Sequence, residues 1–582
     1  MAITDLTGTT WHIPMGWGCE AGYGTFIVDG VFTHEDVTGT YGASGKFTEI
    51  TIGRDSADEI SVYYYFGGYD STRNNTYQYT FVFTGGEDVT HPQLIEWLET
   101  WGELISAGEA PDAPGEPKVT KKFVRRYINE IAYSSAGKCF KMLSKEKLNY
   151  LTFSSPESFT LATANTTKNW DGVLEYSTDA TAWNEWDGTT TLSADNGKLY
   201  MRGKGNTVIT GGSKTSNSRH WILSGTNIVC EGNIENLLDY KTVALGDHPT
   251  MAKYCYSYMF QGCTSLTAAP VLPATILAER CYHFLFFNCT GLITAPQLPA
   301  TTLIKGCYAG MFYGCTSLTT PPELPSTILA DSCYNSMFYG CTSLTTPPEL
   351  PSTILATSCY EYMFYGCTSL TTPPELPSTI LADYCYERMF QGCTSLTAAP
   401  VLPATIMVHY CYSYMFQGCT SLTTPPELPS TILADNCYSY MFNGCTSLTT
   451  PPELPATILA KSCYFSMFNG CTSLTTARAL PVTNLKSSCY RSMFSGCTSL
   501  TTLPALPALE VPVYSYNGMF SGCTKIKLST TQTDEYQTPY RIPTSGTGIK
   551  GTAWTNMFAN TGGTFTGTPS RNTTYYTSNT VI

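Results

Sequence analysis

A 26-residue block that repeats without a register error limits the folds open to this chain more than any other feature. Each block opens with Cys-Tyr and has a second cysteine eight residues later, usually within Met-Phe-x-Gly-Cys-Thr-Ser-Leu. An eleventh block has Ser515 in place of the first cysteine, and Met557-Phe558 marks a worn twelfth block after a 12-residue insertion. Short blocks of this kind stack on one another, so residues 251–528 are predicted to form a solenoid. The first cysteines of the ten complete blocks are Cys255, Cys281, Cys307, Cys333, Cys359, Cys385, Cys411, Cys437, Cys463 and Cys489.

The apolar residues within one block have the spacing of a helix. Cys281, Tyr282, Leu285, Phe286 and Cys289 lie at i, i+1, i+4, i+5 and i+8, which predicts a helix of about two to three turns. The glycine before the second cysteine suits the left-handed residue that ends a helix, and the Ser-Leu-Thr that follows is predicted to be a short strand. Doubled prolines remove donors from any ladder. The predicted fold is therefore a leucine-rich-repeat type of solenoid, with one short helix and one short strand per block in a narrow sheet.

The chain has 24 cysteines, of which 21 belong to the blocks. Residues eight apart on a helix are separated by about 12 Å, which is too far for a disulfide within one block. Stacking places each cysteine beside its copies, which predicts columns of small buried side chains. The alternative is a disulfide between the second cysteine of one block and the first cysteine of the next.

The motif Phe-x-Gly-Cys-Thr-Ser-Leu, followed by a Leu-Pro turn, resembles the BspA-type leucine-rich repeat. Repeats of that type occur in bacterial surface proteins and in proteins of gut bacteriophages. The resemblance covers about half of the chain, and the block departs from the commoner form in its length and its doubled prolines. It implies binding rather than catalysis, with adhesion to host or bacterial surfaces as the expected activity.

The remainder of the chain divides into segments of different composition. Residues 1–105 are similar in general character to the N-terminal domains of phage tail or head-fibre proteins, with strands at 47–52, 60–65 and 77–83 and a helix at 92–105. The strands expected in the next module are 150–153, 159–162, 173–176, 199–202 and 207–210. The predicted domains are an α+β anchoring domain (1–105), a Pro/Gly linker with a basic segment (106–147), an all-β, sandwich-like module (148–230), an N-terminal cap (231–250), the solenoid (251–528) and a C-terminal cap with a degenerate repeat (529–582).

Charge and hydropathy exclude several classes of partner. The net charge is −13 and only 13% of residues are charged, which argues against nucleic acid because phosphate contacts need clustered Lys and Arg. No run of 18 or more apolar residues occurs, so membrane insertion is not expected. The first residues have no basic region followed by an apolar stretch, so no export signal is visible. That favours a virion protein over an exported bacterial adhesin.

The variable positions of the block are the candidate binding residues. A frame that fixes its interior but varies one exposed helical face presents a tunable surface, and tyrosine gives contact area at low entropic cost. Copies at the same position are expected to stack into an aromatic stripe. The alternative is surface decoration without a partner. The candidates are Tyr258, Tyr313, Tyr339, Tyr362, Tyr365, Tyr414 and Tyr440.

A second candidate set is a column of glutamates, each following a Pro-Pro pair. Like charges stacked at this separation repel one another modestly in water. A divalent cation would relieve the repulsion, whereas the simpler expectation is carboxylates that face solvent. The column consists of Glu323, Glu349, Glu375, Glu427 and Glu453.

The sequence gives little support for catalysis. The seven histidines show no metal-ligand spacing, and no cofactor or metal is expected. A dispersed carboxylate pair for glycoside cleavage is left open in the β-module, for example Glu175 with Asp179. Trp170, Trp183 and Trp186 suit either a sugar-stacking surface or a sandwich core with one tryptophan at its rim.

These features predict a non-enzymatic phage virion protein, of tail-fibre or head-fibre type, that adheres to a bacterial host through its solenoid. The expected partners are a bacterial surface glycan or protein receptor and, through residues 1–105, other virion proteins. A homo-oligomer is left open. The alternatives are a bacterial cell-surface adhesin of the same repeat family and a capsule-degrading depolymerase.

Overall fold

The computed structural model of the chain describes two compact units. One comprises Met1–Leu148 with Lys241–His248, and the other comprises Asn149–Tyr240 with Pro249–Ile582. The described residues are the strands of the first unit and residues 149–582, except 165–167, 212–219, 245–246 and 543–551.

The described part of the first unit consists of strands. They form a four-stranded sheet of order β2-β1-β6-β7 and a three-stranded sheet of order β3-β4-β5. The strands predicted at 60–65 and 77–83 are confirmed; of the strand predicted at 47–52, Ile52 lies in β3 and residues 47–51 lie outside the described residues. The helix predicted at 92–105 is wrong from Glu103, which starts a strand; residues 92–102 and 108–120 lie outside the described residues. The bounds are β1 Thr9–Trp17, β2 Glu20–Ile27, β3 Ile52–Ser56, β4 Glu59–Gly67, β5 Thr76–Thr84, β6 Glu103–Ala107 and β7 Lys121–Lys122.

The module at the start of the second unit consists of two sheets with an aromatic core between them. The larger sheet has the order β11-β10-β13-β8-β15-β16 and the smaller one has the order β12-β9-β14. Phe153 of the first sheet contacts Trp221 of the second, as expected for a sandwich. The strands are β8 Leu151–Ser154, β9 Phe159–Thr163, β10 Val173–Ser177, β11 Asn184–Glu185, β12 Leu192–Ala194, β13 Lys198–Lys204, β14 Trp221–Ser224, β15 Ile228–Glu231 and β16 Leu266–Ala268.

Four of the five strands predicted in this module are confirmed, and the strand predicted at 207–210 is wrong. The carboxylate of Asp171 accepts the backbone N–H groups of Thr207 and Val208, at 2.9 and 3.1 Å. Those donors are therefore not available to a neighbouring strand. Ile209 makes only a single bridge, to Trp170.

The module itself covers the first coil of the solenoid. Strand β15 pairs in parallel with β16, which belongs to the first repeat, and the N–H of Trp221 donates to the carbonyl of Met259 at 2.8 Å. The sequence assigned this role to residues 231–250, of which Asn233 and Ile234 contact Val271. Helix α1, Asn236–Ala244, is interrupted at Asp239, whose φ and ψ are −152° and 101°.

The predicted helix in each repeat is wrong, because the described part of each coil folds as a chain of tight turns. In the second repeat the N–H groups of Cys281, Leu285 and Cys289 donate to carbonyls three residues earlier. The third residue of each such turn has a positive φ (Arg280, Phe284 and Asn288 at 56°, 52° and 56°), as a type II turn requires. The predicted left-handed glycines are confirmed, but they complete turns rather than end helices.

Hydrogen bonds between neighbouring coils explain why the helix does not form. The N–H groups of Tyr282, Phe284 and Phe286 donate to carbonyls 25 residues ahead, at 2.9 to 3.0 Å. Alternate N–H groups therefore bond within the coil and to the next coil, and none is left for the i−4 ladder of an α-helix. The interaction between coils overrides the local helical spacing of the side chains.

The predicted strand of each repeat is reduced almost to nothing. Among the described coils, only β16, β17 Thr502–Leu503 and β18 Leu528–Ser529 are strands at this place in the repeat. Isolated parallel bridges join other coils, for example Thr294 to Thr320 and Ile354 to Ile380. The prediction that the prolines keep the sheet narrow is confirmed.

Stacked aromatic rings run through the interior of the solenoid. Each coil contributes one buried tyrosine and one buried phenylalanine, with centroids of successive rings 5.5–6.1 Å apart. The predicted cysteine columns are confirmed, because every cysteine among the described residues is a buried free thiol.

The end of the chain continues this stack and adds two small sheets. Phe558 stacks on Phe520 with centroids 5.6 Å apart, although 38 residues separate them in sequence. The last strands are β18 Leu528–Ser529, β19 Thr538–Arg541, β20 Thr574–Thr577 and β21 Thr580–Val581. Strand β21 pairs in parallel with β17 of the preceding repeat. No helix in the described part of the chain is long and apolar enough to cross a membrane.

Candidate binding surface

The variable side chains of the repeat lie along the chain of turns and form a surface on which the tyrosines are half-buried and several smaller residues, such as Ser257 and Ser413, are buried. We call it the variable surface and define it by the residues two, three and six positions after the first cysteine of each coil. The buried positions between them are almost invariant, since Tyr, Met, Phe and Cys recur there. All seven candidate tyrosines lie on this surface and are half-buried.

Three of those tyrosines form the predicted aromatic stripe. The ring of Tyr339 stacks on Tyr313 at 4.2 Å and on Tyr365 at 4.3 Å between centroids. Burial, followed by hydrogen bonds with Tyr313 and Tyr365, raises the pKa of Tyr339 above its ordinary value. Stacked rings cover each other's faces, so this stripe presents ring edges and hydroxyl groups to a ligand rather than open faces.

Three further candidate tyrosines lie in a row with an arginine that the sequence did not single out. The guanidinium carbon of Arg388 lies 5.3 Å from the ring centroid of Tyr362 and 4.2 Å from that of Tyr414. Tyr414 in turn stacks on Tyr440 at 4.4 Å. We call Tyr362, Arg388, Tyr414 and Tyr440 the Arg388 row; they occupy the same position in four successive coils. Cation–π contacts hold the planar guanidinium between two rings.

The remaining candidate, Tyr258, is separated from the Arg388 row. It stacks on Phe284 at 5.1 Å, in the first two coils. Gly310 and Ser336 occupy the same position in the next two coils, so the aromatic column is interrupted between the two groups. The structure therefore brings six of the seven tyrosines together, in the consecutive coils that contain residues 313 to 440, and leaves Tyr258 apart.

A buried carboxyl, Glu387, and a half-buried one, Glu361, lie beside Arg388, and sequence reasoning missed both. Burial, reinforced by the neighbouring charge of Glu361, raises the pKa of Glu387 to about 7, although Arg388 opposes this shift. Burial also raises the pKa of Glu361, whose carboxylate accepts a hydrogen bond from Asn335 at 3.0 Å. The signal available in the sequence was a pair of glutamates at the same position of adjacent coils.

A further aromatic pair lies one residue before the first cysteine of two adjacent coils. Tyr384 and Tyr410 stack at 5.0 Å between centroids, and Tyr384 is 36% exposed. The residue at this position differs from coil to coil, so this position is a further variable position of the repeat.

The glutamate column lies elsewhere in the coil, eight residues after the second cysteine. All five carboxylates are exposed, and Val401 interrupts the column between Glu375 and Glu427. Glu453 pairs with Arg478 at 2.8 Å. Among the described residues, no group of three or more His, Cys, Asp or Glu side chains is arranged to hold a metal ion.

The β-module has the tryptophan arrangement of a core with one residue at its rim. Trp170 and Trp186 are buried and stack at 5.1 Å. Trp183 is half-buried and covers the guanidinium of Arg202, whose carbon lies 4.1 Å from its ring centroid. The tryptophan faces that a sugar would need are thus largely occupied by protein groups.

The carboxylate pair of this module is poorly suited to glycoside cleavage. Burial opposes ionisation of Glu175, but hydrogen bonds from Lys204 and Arg202, both at 2.7 Å, hold its pKa below the ordinary value. Hydrogen bonds from Thr181, Ala182 and Ser177 lower the pKa of Asp179. A general acid needs a raised pKa, and neither carboxyl has one.

Comparison with known proteins identifies the repeats. A family model described as BspA type Leucine rich repeat region, in 6 copies, matches residues 246–371, 307–449 and 410–537. Together these matches cover residues 246–537, half of the chain. No curated protein and no solved structure matches the chain.

Proposed function

Because the chain belongs to the BspA-type leucine-rich-repeat proteins, we propose that it is a non-enzymatic adhesion protein whose solenoid binds a bacterial surface component. A binding role fits a scaffold whose buried residues are the same in every coil while the residues on its turns vary. Adhesion needs such a surface and needs no reacting group. The lowered pKa values of Glu175 and Asp179 support a binding role for the chain over glycan cleavage.

The Arg388 row is the observation that carries this proposal. Tyrosine and arginine dominate the energetic centres of protein interfaces. Here they are fixed in place before any ligand arrives, because each projects from a rigid turn and packs on its neighbour. A preorganised row loses little conformational entropy on binding.

The chemistry of the surrounding residues suits a neutral, hydroxyl-rich ligand or a polar protein surface. Tyr365 is followed along the solenoid by Gln391 and Gln417 at the same position, and Gln417 donates to the amide oxygen of Asn443 at 3.0 Å. Amides and phenol hydroxyls both donate and accept hydrogen bonds. A bacterial surface glycan or a protein receptor offers matching groups.

Binding to cells provides the direct test. Fluorescently labelled protein would be titrated onto washed bacterial cells of a gut panel, and bound label measured by flow cytometry. For the strains that bind, we expect R388A and Y414A to weaken apparent affinity at least tenfold. R478A is the matched control, because Arg478 has similar exposure and pairs with Glu453 in another segment of the coil. Equal binding by R388A, Y414A and wild type would remove the Arg388 row from the proposal.

We propose a phage particle as the carrier of this adhesion protein, with residues 1–105 fastening it to other virion proteins. The support is the repeat family together with a charge-poor, tyrosine-rich sequence. Antibody labelling of purified particles tests the assignment, and particles without label would count against it. Detection on washed cells without phage induction would instead favour a bacterial cell-surface adhesin of the same repeat family.

A further inference from the structure

A row of exposed isoleucines runs along the solenoid, apart from the variable surface. We call it the isoleucine ladder: Ile328, Ile354, Ile380, Ile406, Ile432 and Ile458. These side chains are 52–74% exposed, and the threonine before each is exposed too. Soluble proteins rarely leave an apolar strip of six consecutive large side chains uncovered. We infer that the isoleucine ladder is a docking surface for a basic amphipathic α-helix of a partner protein.

Five of the six backbone carbonyls of the ladder already accept hydrogen bonds within the solenoid. The hydroxyl groups of Ser352, Ser378 and Ser430 donate to the carbonyls of the ladder isoleucines two residues later, at 2.7–2.8 Å. The carbonyls of Ile380 and Ile458 also accept the N–H groups of leucines in the preceding coils. Strand addition depends on unpaired backbone groups, so we expect a partner to bind this surface mainly through side chains.

The charges that border the ladder select a basic partner. The glutamate column lies five residues before the isoleucines and is exposed along the same coils. Asp331, Asp383 and Asp435 lie three residues after them, with Lys461 as the cation at that position. Arg478 pairs with Glu453, and the other seven carboxylates against Lys461 still make an acidic border. Basic side chains on both sides of an apolar stripe complement it.

The spacing of the ladder matches the pitch of an α-helix. Bridges such as Ile354 to Ile380 place neighbouring backbones about 4.8 Å apart, and the interior rings step by 5.5–6.1 Å per coil. One turn of helix rises about 5.4 Å, which lies between these values. A helix laid along the solenoid thus places one apolar side chain per turn between successive isoleucines. About 18 residues span the six coils at about 1.5 Å per residue.

A second copy of this chain is a poorer occupant. Placing two ladders face to face brings the acidic borders of both copies together, whichever direction the second solenoid runs. The repulsion between exposed carboxylates is modest for each pair but repeats in every coil. The inference does not rest on the adhesion proposal, because the two surfaces share no residue.

The test uses synthetic peptides as partners and the full-length chain as receptor. The probe is a fluorescent 18-residue peptide with leucine along one helical face and lysine elsewhere. Its controls are the same design with glutamate for lysine, and a Leu/Lys peptide of scrambled order without an apolar face. Fluorescence anisotropy would give each dissociation constant, and sedimentation velocity the association state of the chain.

The ladder variant is I354T/I380T/I406T/I432T. Threonine is compatible with the coil because Thr302 occupies the same position one coil before Ile328 and makes a bridge to it. The matched control is I222T/I293T/L509T, which removes exposed apolar side chains outside the ladder. Circular dichroism would establish that both variants retain the wild-type fold.

We expect the Leu/Lys helix to bind the wild type and the matched control equally, and the ladder variant at least tenfold more weakly. The Leu/Glu and scrambled peptides should bind the wild type at least tenfold more weakly than the Leu/Lys helix. Equal binding by the ladder variant, or by the scrambled peptide, would overturn the inference. So would self-association of the wild type that the ladder variant abolishes, because the ladder would then be covered by a second copy.

Discussion

The thiol of Cys367 donates a hydrogen bond to the carbonyl oxygen of Phe338 in the preceding coil, at 3.1 Å. The same contact occurs in ten successive coils, at 2.9–3.1 Å. Burial raises the pKa of Cys367 to about 12, so the thiol keeps the proton that it donates. The second cysteine of each block is therefore both a small buried side chain and a link between coils. The ten donors are Cys289, Cys315, Cys341, Cys367, Cys393, Cys419, Cys445, Cys471, Cys497 and Cys523.

We expect Cys367→Ala to destabilise the solenoid by about 1–2 kcal/mol, because it removes this hydrogen bond and leaves a small cavity. Cys359→Ser, at the first cysteine position of the same coil, should cost less. Ser515 occupies that position naturally, and its hydroxyl donates to the carbonyls of Lys486 and Pro512 at 3.0 Å. Urea denaturation followed by circular dichroism checks both variants. A smaller effect for C367A than for C359S would contradict the role of the thiol.

We expect Glu387→Gln to reduce the pH dependence of stability. Burial and the charge of Glu361 raise the folded-state pKa of Glu387 to about 7 from an ordinary value of 4.5. The folded chain therefore binds the proton more tightly than the unfolded chain. The contribution of Glu387 to the free energy of unfolding is therefore greatest below about pH 4.5, falls as the pH rises to about 7 and is constant above it.

After allowance for solvent screening, Glu387 accounts for about 1–2 kcal/mol of this loss. Thermal melting of wild type and E387Q between pH 5 and 8 measures it, and the difference in stability between the two proteins should change from pH 5 to about pH 7 and be constant above that. E349Q, an exposed member of the glutamate column, is the control and should follow the wild-type profile. A parallel profile for E387Q would show that Glu387 titrates normally.

We expect Gly366→Ala to cost about 1 kcal/mol through backbone strain alone. Gly366 has a φ of 68°, and an added Cβ would meet its nearest neighbour, the Cα of Gly340, at 3.9 Å, which is ordinary contact. Gly366→Asn should cost less, because asparagine tolerates this conformation. Asn288 and Asn560 adopt it at the same position of their coils, with φ of 56° and 59°. Urea midpoints for the two variants rank them, and an equal loss would point to crowding instead of strain.

We expect Arg202→Met to destabilise the β-module by about 2 kcal/mol, since it leaves Glu175 largely buried with one cationic partner fewer. The guanidinium of Arg202 also lies between the rings of Trp183 and Tyr240, at 4.1 and 4.3 Å. Lys204→Met is the control and should cost less, because Lys204 is 40% exposed. Tryptophan fluorescence during denaturation reports the module, and the double variant R202M/E175Q should recover part of the loss.

Much of the interior could be predicted from the period of the sequence. Cys281, Phe286 and Cys289 recur at fixed positions, and stacking alone requires that copies of one residue become neighbours. The buried cysteine columns follow from that requirement without knowledge of the backbone. The candidate tyrosines were found for the converse reason, because large side chains at variable positions do not fit an interior that is the same in every coil.

Contacts between different positions of the block could not be read from the period. Arg388 is the one arginine at a position that otherwise holds Tyr, Phe, Gly or Ser, and its importance depends on the rings of Tyr362 and Tyr414 in the coils on either side. The isoleucine ladder was missed because Thr-Ile-Leu-Ala reads as ordinary core. Only the folded coil shows that the leucine points inward while the isoleucine remains exposed.

The sequence by itself determined that the chain stacks in 26-residue steps, which side chains fill the stack and which positions are free to differ. The tertiary structure alone decided the path of the backbone within each step. The spacing of Cys281, Tyr282, Leu285 and Phe286 satisfies a helix and a chain of turns equally well. Hydrogen bonds with carbonyls 25 residues away favour the chain of turns over the helix, and these bonds exist only once neighbouring coils are in place.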